Sequence, residues 1–198
     1  MPVFDAKQLG AQGQFLGAAE QEQRASAARE QYKPDQVRCL LIAEALPDSL
    51  DRFFYYPDVR RADYLFLGVM QVLYPNLKEE FLATRRSRDL KEGMLRRFQG
   101  DGFFLLDILE ASPRKSFSRL QQAMPGLLAC IDLVADQQTP IVLIKTTTFD
   151  AAYRPLKAAG YAKVFSKPIP FPSQGWQHRF HELFSKALKE IGVSWTAG

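Results

Sequence analysis

Three ionisable residues of this chain stand directly at the end of an apolar run. Glu44 follows CLLIA, Asp107 follows GFFLL and Lys145 follows PIVLI. A charge in such a place is costly unless a partner or a ligand meets it. A fourth polar position, Ser173, comes after the weaker run AKVFSK and the proline-rich stretch PIPFP. Two carboxylates, an amine and a hydroxyl brought to one point could bind and polarise a small ligand. A Glu44–Lys145 pair would also answer the charge at the first of these run ends.

The elements that must position these residues are legible as short apolar runs separated by helical patterns. That alternation indicates βαβ units and a mostly parallel sheet, whose ligands bind beyond the carboxyl ends of the strands. The expected architecture is a single α/β domain over residues 1–198, three layers deep, with a central four-stranded sheet. If the strand order is 2-1-3-4, Lys145 neighbours Glu44 where that order reverses. Residues 1–37 read as a polar helical extension, AAEQEQRASAAREQYK, whose apolar positions are mostly alanine and which should lie on the body. Residues 48–100 carry the aromatic group RFFYYP and then helical patterns in DYLFLGVMQVLY and KEEFLATRRSRDLKEGMLRRF. FSRLQQAMPGLLACIDLVADQ reads as a helix interrupted or kinked at Pro125. The last helix, QHRFHELFSKALKEIG, is amphipathic.

Composition narrows the function classes. With 46% hydrophobic and 24% charged residues, the 198-residue chain can bury a sizeable core. A net charge of +4 is compatible with a polyanionic partner without requiring one. Cys39 and Cys130 are too few for a four-ligand cluster or a disulfide framework, and read as buried thiols in a reducing compartment. No apolar stretch reaches the eighteen residues of a membrane helix, and MPVFDAKQLG lacks a signal-type apolar core. The expectation is a cytoplasmic protein with no membrane partner. There is no phosphate-cradling glycine loop and no Gly-x-Ser-x-Gly elbow. His178 and His181 are three apart near the start of the last helix, with no further ligand to complete a metal site. Arginines gather at Arg60-Arg61, Arg85-Arg86-Arg88 and Arg96-Arg97. With Glu79, Glu80, Asp89 and Glu92 among them, they read first as a solvated helix face and second as phosphate contacts.

Over residues 37–190 the order of motifs resembles the uracil-DNA glycosylase superfamily. AEALP at 43–47 is similar to its first motif, Gly-Glu-Ala-Pro-Gly in several branches. LLD at 105–107 resembles the strand that ends in Leu-Leu-Asn, IVLIK at 141–145 its third strand, and FPS at 171–173 its closing His-Pro-Ser. The resemblance implies a fold of that kind and recognition or excision of a modified base in nucleic acid, with DNA or a nucleotide-like ligand as partner and no cofactor. It implies Glu44 as a catalytic residue; Lys145, the unusual element beside it, reads either as a second catalytic residue contacting the leaving group or a phosphate, or as an ion-pair partner of Glu44 only. Ala45, Asp107, Phe171, Pro172 and Ser173 would line the base pocket, and Phe53, Phe54 or Tyr55 would stack on the base. Three positions depart from the pattern. Ala45 stands where the uracil-specific branch keeps a water-activating Asp, and Phe171 replaces a His that supports the departing base. Asp107 replaces a base-reading Asn. An ionised carboxylate only accepts hydrogen bonds, so Asp107 would favour an edge presenting N–H donors or would have to be protonated.

The same strand ends also resemble a receiver domain of two-component signalling. LLDIL around Asp107 looks like a phospho-acceptor strand, and FSKPI resembles the receiver's Lys-Pro. That resemblance implies phosphorylation of Asp107 with Mg²⁺. Here, however, Glu44 is followed by Ala45 where receivers pair two acids.

Overall fold

The computed structural model describes residues 18–47, 49–58, 63–109 and 116–195. Among them the chain forms an α/β structure with seven α-helices and a parallel sheet. The sheet is built on β1, Cys39–Ala45, whose residues Cys39 to Ala43 are all buried. Consecutive buried residues on a strand mean that both faces are covered, as the unbroken apolar run predicts. β2 (Phe103–Leu109) lies parallel on one side of β1 and β3 (Ile141–Leu143) parallel on the other. Leu40 is in register with Phe104 and with Ile141, and Ile42 with Leu106 and with Leu143. Ala43 is in register with Asp107, so the charged ends of all three strands emerge at one edge of the sheet.

The observed order is β2-β1-β3, and the expected fourth strand is not a strand. Its segment makes only isolated parallel bridges, Val164 to Ile141 and Ile169 to Ile144. The reason is in the sequence that follows. Pro168, Pro170 and Pro172 have no backbone N–H, so the chain cannot extend a ladder along β3. The segment is held instead by single bonds, among them Lys145 N–H to the Ile169 carbonyl at 2.9 Å.

Helices cover the sheet in two groups. α5 (Phe117–Asp132) and α6 (Thr146–Ala158) pack on each other and on the strands. α5 runs through Pro125 as one helix rather than stopping there. Its buried stripe is Leu120, Met124, Leu127 and Ile131, which leaves Cys130 exposed, against the expectation of a buried thiol, while Cys39 is buried in β1. The second group is α2 (Tyr64–Leu73), α3 (Pro75–Ala83), α4 (Arg88–Gly100) and α7 (Gln177–Glu190). α7 buries Phe180, Phe184, Ala187 and Leu188 at helical spacing. No helix among the described residues is long and apolar enough to cross a membrane.

The part of the N-terminal extension that is described, α1 (Ala18–Gln31), docks on the body; residues 1–17 lie outside the described residues. Ala25 and Tyr32 are buried, and Tyr32 stacks on Tyr55 with ring centroids 6.1 Å apart. The Arg96 guanidinium lies 4.7 Å from the Tyr32 ring centroid and donates to the Gln31 carbonyl at 3.1 Å. Gln99 donates to the Lys33 carbonyl at 2.8 Å. Part of the arginine-rich interval therefore fastens α1 to α4.

Gly68 fixes the approach of the proline-rich segment to α2. A Cβ there would lie 2.8 Å from Pro172 Cβ and 3.1 Å from Phe180 Cε1. Neither ring can swing aside within a packed core. Gly68→Ala should therefore lower stability by about 1–3 kcal/mol in urea unfolding, and an unchanged midpoint would show that the 171–173 segment yields freely.

Candidate active site

Beyond the carboxyl ends of β1 and β2 lies a cavity of about 660 Å³, within the range of small-molecule sites. Glu44, Asp107, Lys145 and Ser173 all line it. Four residues from four separate stretches of sequence thus share one wall system, at the place where strand order reverses between β1 and β3.

The Glu44 carboxylate is nearly buried and has two partners from the β3–α6 connection. Lys145 Nζ forms an ion pair with its Oε2, and Thr147 Oγ1 donates to the same oxygen at 2.6 Å. Glu44 also faces the first turn of α6, where a negative charge is favoured by the helix dipole. Lys145 reaches this position through a backbone that side chains rarely adopt, with φ 87° and ψ 138°. Such a conformation costs on the order of 1–3 kcal/mol for a residue with a Cβ and persists where its surroundings over-determine it. Here the surroundings are the Lys145 N–H bond to Ile169 and the Phe149 N–H bond at 3.0 Å to the Lys145 carbonyl. Lys145 remains two-fifths exposed, so its amine is open to a ligand as well as paired.

Asp107 is held from an element that the motif pattern does not include. Arg29 Nη2 of α1 lies 3.1 Å from Asp107 Oδ2, with both side chains largely buried. The guanidinium also sits 5.8 Å from the Phe53 ring centroid. The sequence signal for Arg29 was its spacing. Ala25, Arg29 and Tyr32 share one helix stripe, and both flanking members are buried.

The aromatic residues divide differently from the expectation. Phe53 and Phe54 line the cavity from below, each almost fully buried. Tyr55 does not line it. Its hydroxyl accepts from Leu105 N–H at 2.6 Å and donates to the Leu105 carbonyl at 3.3 Å. β2 is an edge strand, and Tyr55 satisfies the outward backbone groups that a further strand would have paired. Burial pushes its phenol well above the usual range. Ala45 and the half-buried Phe171 line the cavity, whereas Pro172 is buried against α2 and supports the loop from behind.

Two charged lining residues went unread in the sequence, Arg52 and Asp63. Asp63 caps α2, accepting from Phe66 N–H at 3.1 Å, and pairs with Lys91 at 3.3 Å. Lys91 has no exposed surface. It occupies the buried stripe of α4 with Met94, Leu95 and Phe98, and lies 4.4 Å from the Phe66 ring centroid. Its amine also approaches the Phe53 carbonyl at 3.5 Å. One ammonium therefore links the cavity floor to the start of α2. Burial pushes Lys91 down to about 8, against the opposing pull of Asp63. Burial likewise raises Asp63, partly offset by Lys91.

The remaining sequence candidates among the described residues do not line this cavity. Arg97 pairs with Asp101 at 3.4 Å and Arg88 with Asp58 at 3.4 Å, while Arg60 and Arg61 lie outside the described residues. No group of three His, Cys, Asp or Glu able to hold a metal ion occurs among the described residues. No family model matches the chain, and neither the curated proteins nor the solved structures contain a match to it.

Two outcomes follow for the supporting residues. Tyr55→Phe strips both partners from buried Leu105 backbone groups and should cost about 1–3 kcal/mol in urea unfolding, with faster hydrogen exchange at the Leu105 amide. An unchanged midpoint and unchanged exchange would refute the edge-capping role. For Lys91 the folded pKa lies below the unfolded value of about 10.4, so the unfolded chain binds more protons between pH 8 and about 10.4. Its charged burial costs stability below pH 8, and that cost is relieved as pH rises through the window. Stability of the wild type relative to Lys91→Met should therefore increase from pH 8 to 10; a decrease would show that the amine is not held below its usual range.

Proposed function

We propose that this chain recognises a nucleobase in the strand-end cavity and hydrolyses its N-glycosidic bond in nucleic acid, as the resemblance to uracil-DNA glycosylases implies. The observation that carries the reading is the Glu44–Lys145–Thr147 arrangement on the rim of a cavity floored by Phe53 and Phe54. Flat aromatic walls suit a planar ring, and polar groups at one end suit its edge. Both partners of Glu44 engage Oε2, which leaves Oε1 for a water or for the sugar. In hydrolysis a water oxygen bonds to the anomeric carbon while the base departs with the bonding electron pair. Glu44 would take the water's proton and offset the positive charge on the sugar. Lys145 would offset the charge of Glu44 and offer a donor to the departing base or a phosphate. Ala45 supplies no second acid and Phe171 no donor, so the reaction rests on this one pair.

A second reading, binding of a nucleobase without chemistry, is favoured by the same ion pair, because Glu44 is already engaged before any ligand arrives. Base release from oligonucleotides carrying a panel of damaged and mismatched bases separates the two. The glycosylase reading expects release of at least one base by the wild type and a loss of about 10²- to 10⁴-fold in Glu44→Gln. Base binding without release by the wild type supports the second reading and ends the first.

A further inference from the structure

The charges lining the cavity change with depth, and the inference drawn from this rests on the nucleobase reading above. The three carboxylates are nearly buried, with side-chain exposures of 11% for Glu44, 3% for Asp63 and 4% for Asp107. Each has a cation against it, Lys145, Lys91 and Arg29 in turn. Among the described residues, the exposed ones that line the cavity are Ser49, Arg52 and Tyr64. None of them is acidic. Arg52 closes the single helical turn Leu50–Arg52 between buried Leu50 and Phe53, with its N–H on the Ser49 carbonyl at 3.1 Å. Its backbone is therefore fixed while the residue stays exposed. Asp51, its neighbour in the chain, does not line the cavity, and no described residue pairs with the Arg52 guanidinium.

We infer that the ligand carries a phosphate, held at the cavity rim by Arg52 while its base lies inside against Phe53 and Phe54. The charge balance calls for such a group. Once each carboxylate is matched, Arg52 is the lining cation left over, and an anionic ligand supplies its counter-charge. A guanidinium suits phosphate because its N–H groups form a planar fork that engages two oxygens at once. The Ser49 hydroxyl and the Tyr64 phenol add donors on the same exposed rim. With Arg52 on the phosphate, Lys145 is left to the departing base. A nucleic-acid strand and a free nucleotide both present this chemistry, a flat ring joined to a charged phosphate through one sugar.

Calorimetric titration of the full chain with the common deoxynucleosides, deoxyuridine, their 5′-monophosphates and deoxyribose 5-phosphate tests this. At least one monophosphate should bind about tenfold more tightly than its nucleoside, with the gap narrowing as salt is raised. Arg52→Met should close the gap, and Arg52→Lys should keep part of it. A trinucleotide of the same base that binds more tightly than the monophosphate assigns the phosphate to a strand, and weaker binding assigns it to a free nucleotide. Equal wild-type affinities for nucleoside and monophosphate, or a gap that survives in Arg52→Met, would overturn the Arg52 contact. Either result leaves the nucleobase reading standing. Deoxyribose 5-phosphate binding as tightly as the monophosphates, with no nucleoside bound, would keep the contact and end the nucleobase reading. Absence of binding by all of these ligands would overturn both. The wild-type comparison needs no variant to fold.

Discussion

A carboxylate at the end of a doubly covered strand must be met by a cation, and the site is organised around that requirement. Glu44 follows five consecutive buried residues of β1, and little of its side chain is exposed. The nearest backbone able to supply a partner is the turn leaving β3, next to β1 on the side where the strand order reverses. Lys145 meets Glu44 from there at the expense of a left-handed backbone, and Thr147 follows two residues later. The strain and the ion pair are therefore two aspects of one constraint.

The same logic recurs around the cavity. Asp107 is matched by Arg29 from α1, and Asp63 by Lys91 from α4. Each of three carboxylates lining the cavity thus draws its cation from a different element. Breaking one partner of a buried pair leaves an uncompensated charge, which is far more costly than never having had the pair. The pairs consequently tie the position of helices to the shape of the cavity. α1 is not an appendage, because withdrawing it would take the Arg29 guanidinium away from Asp107.

Aromatic residues in the 53–55 turn show how one apolar group serves two purposes. Phe53 and Phe54 present the cavity floor, while Tyr55, immediately after them, turns its hydroxyl to the outer, buried edge of β2. Only a phenol can both donate to and accept from one residue's backbone at that edge while its ring remains in the core. Proline has the complementary role at the other side of the sheet. It prevents the 162–172 segment from becoming a fourth strand and frees it to carry Phe171 and Ser173 into the cavity.

The sequence by itself determined the parallel α/β character and the convergence of Glu44, Asp107, Lys145 and Ser173. These follow from local facts: unbroken apolar runs, the residues that end them and the rule that parallel strands share one carboxyl edge. Tertiary structure alone decided which charges pair across long separations. Arg29 lies 78 residues from Asp107 and Lys91 lies 28 from Asp63, and nothing in the local pattern around any of these residues names its partner. It also decided that Tyr55 and Pro172 support the walls rather than line them, because side-chain direction depends on what packs behind. The missing fourth strand lies between these cases, since its prolines were in plain view but the ladder they interrupt exists only once β3 is beside them.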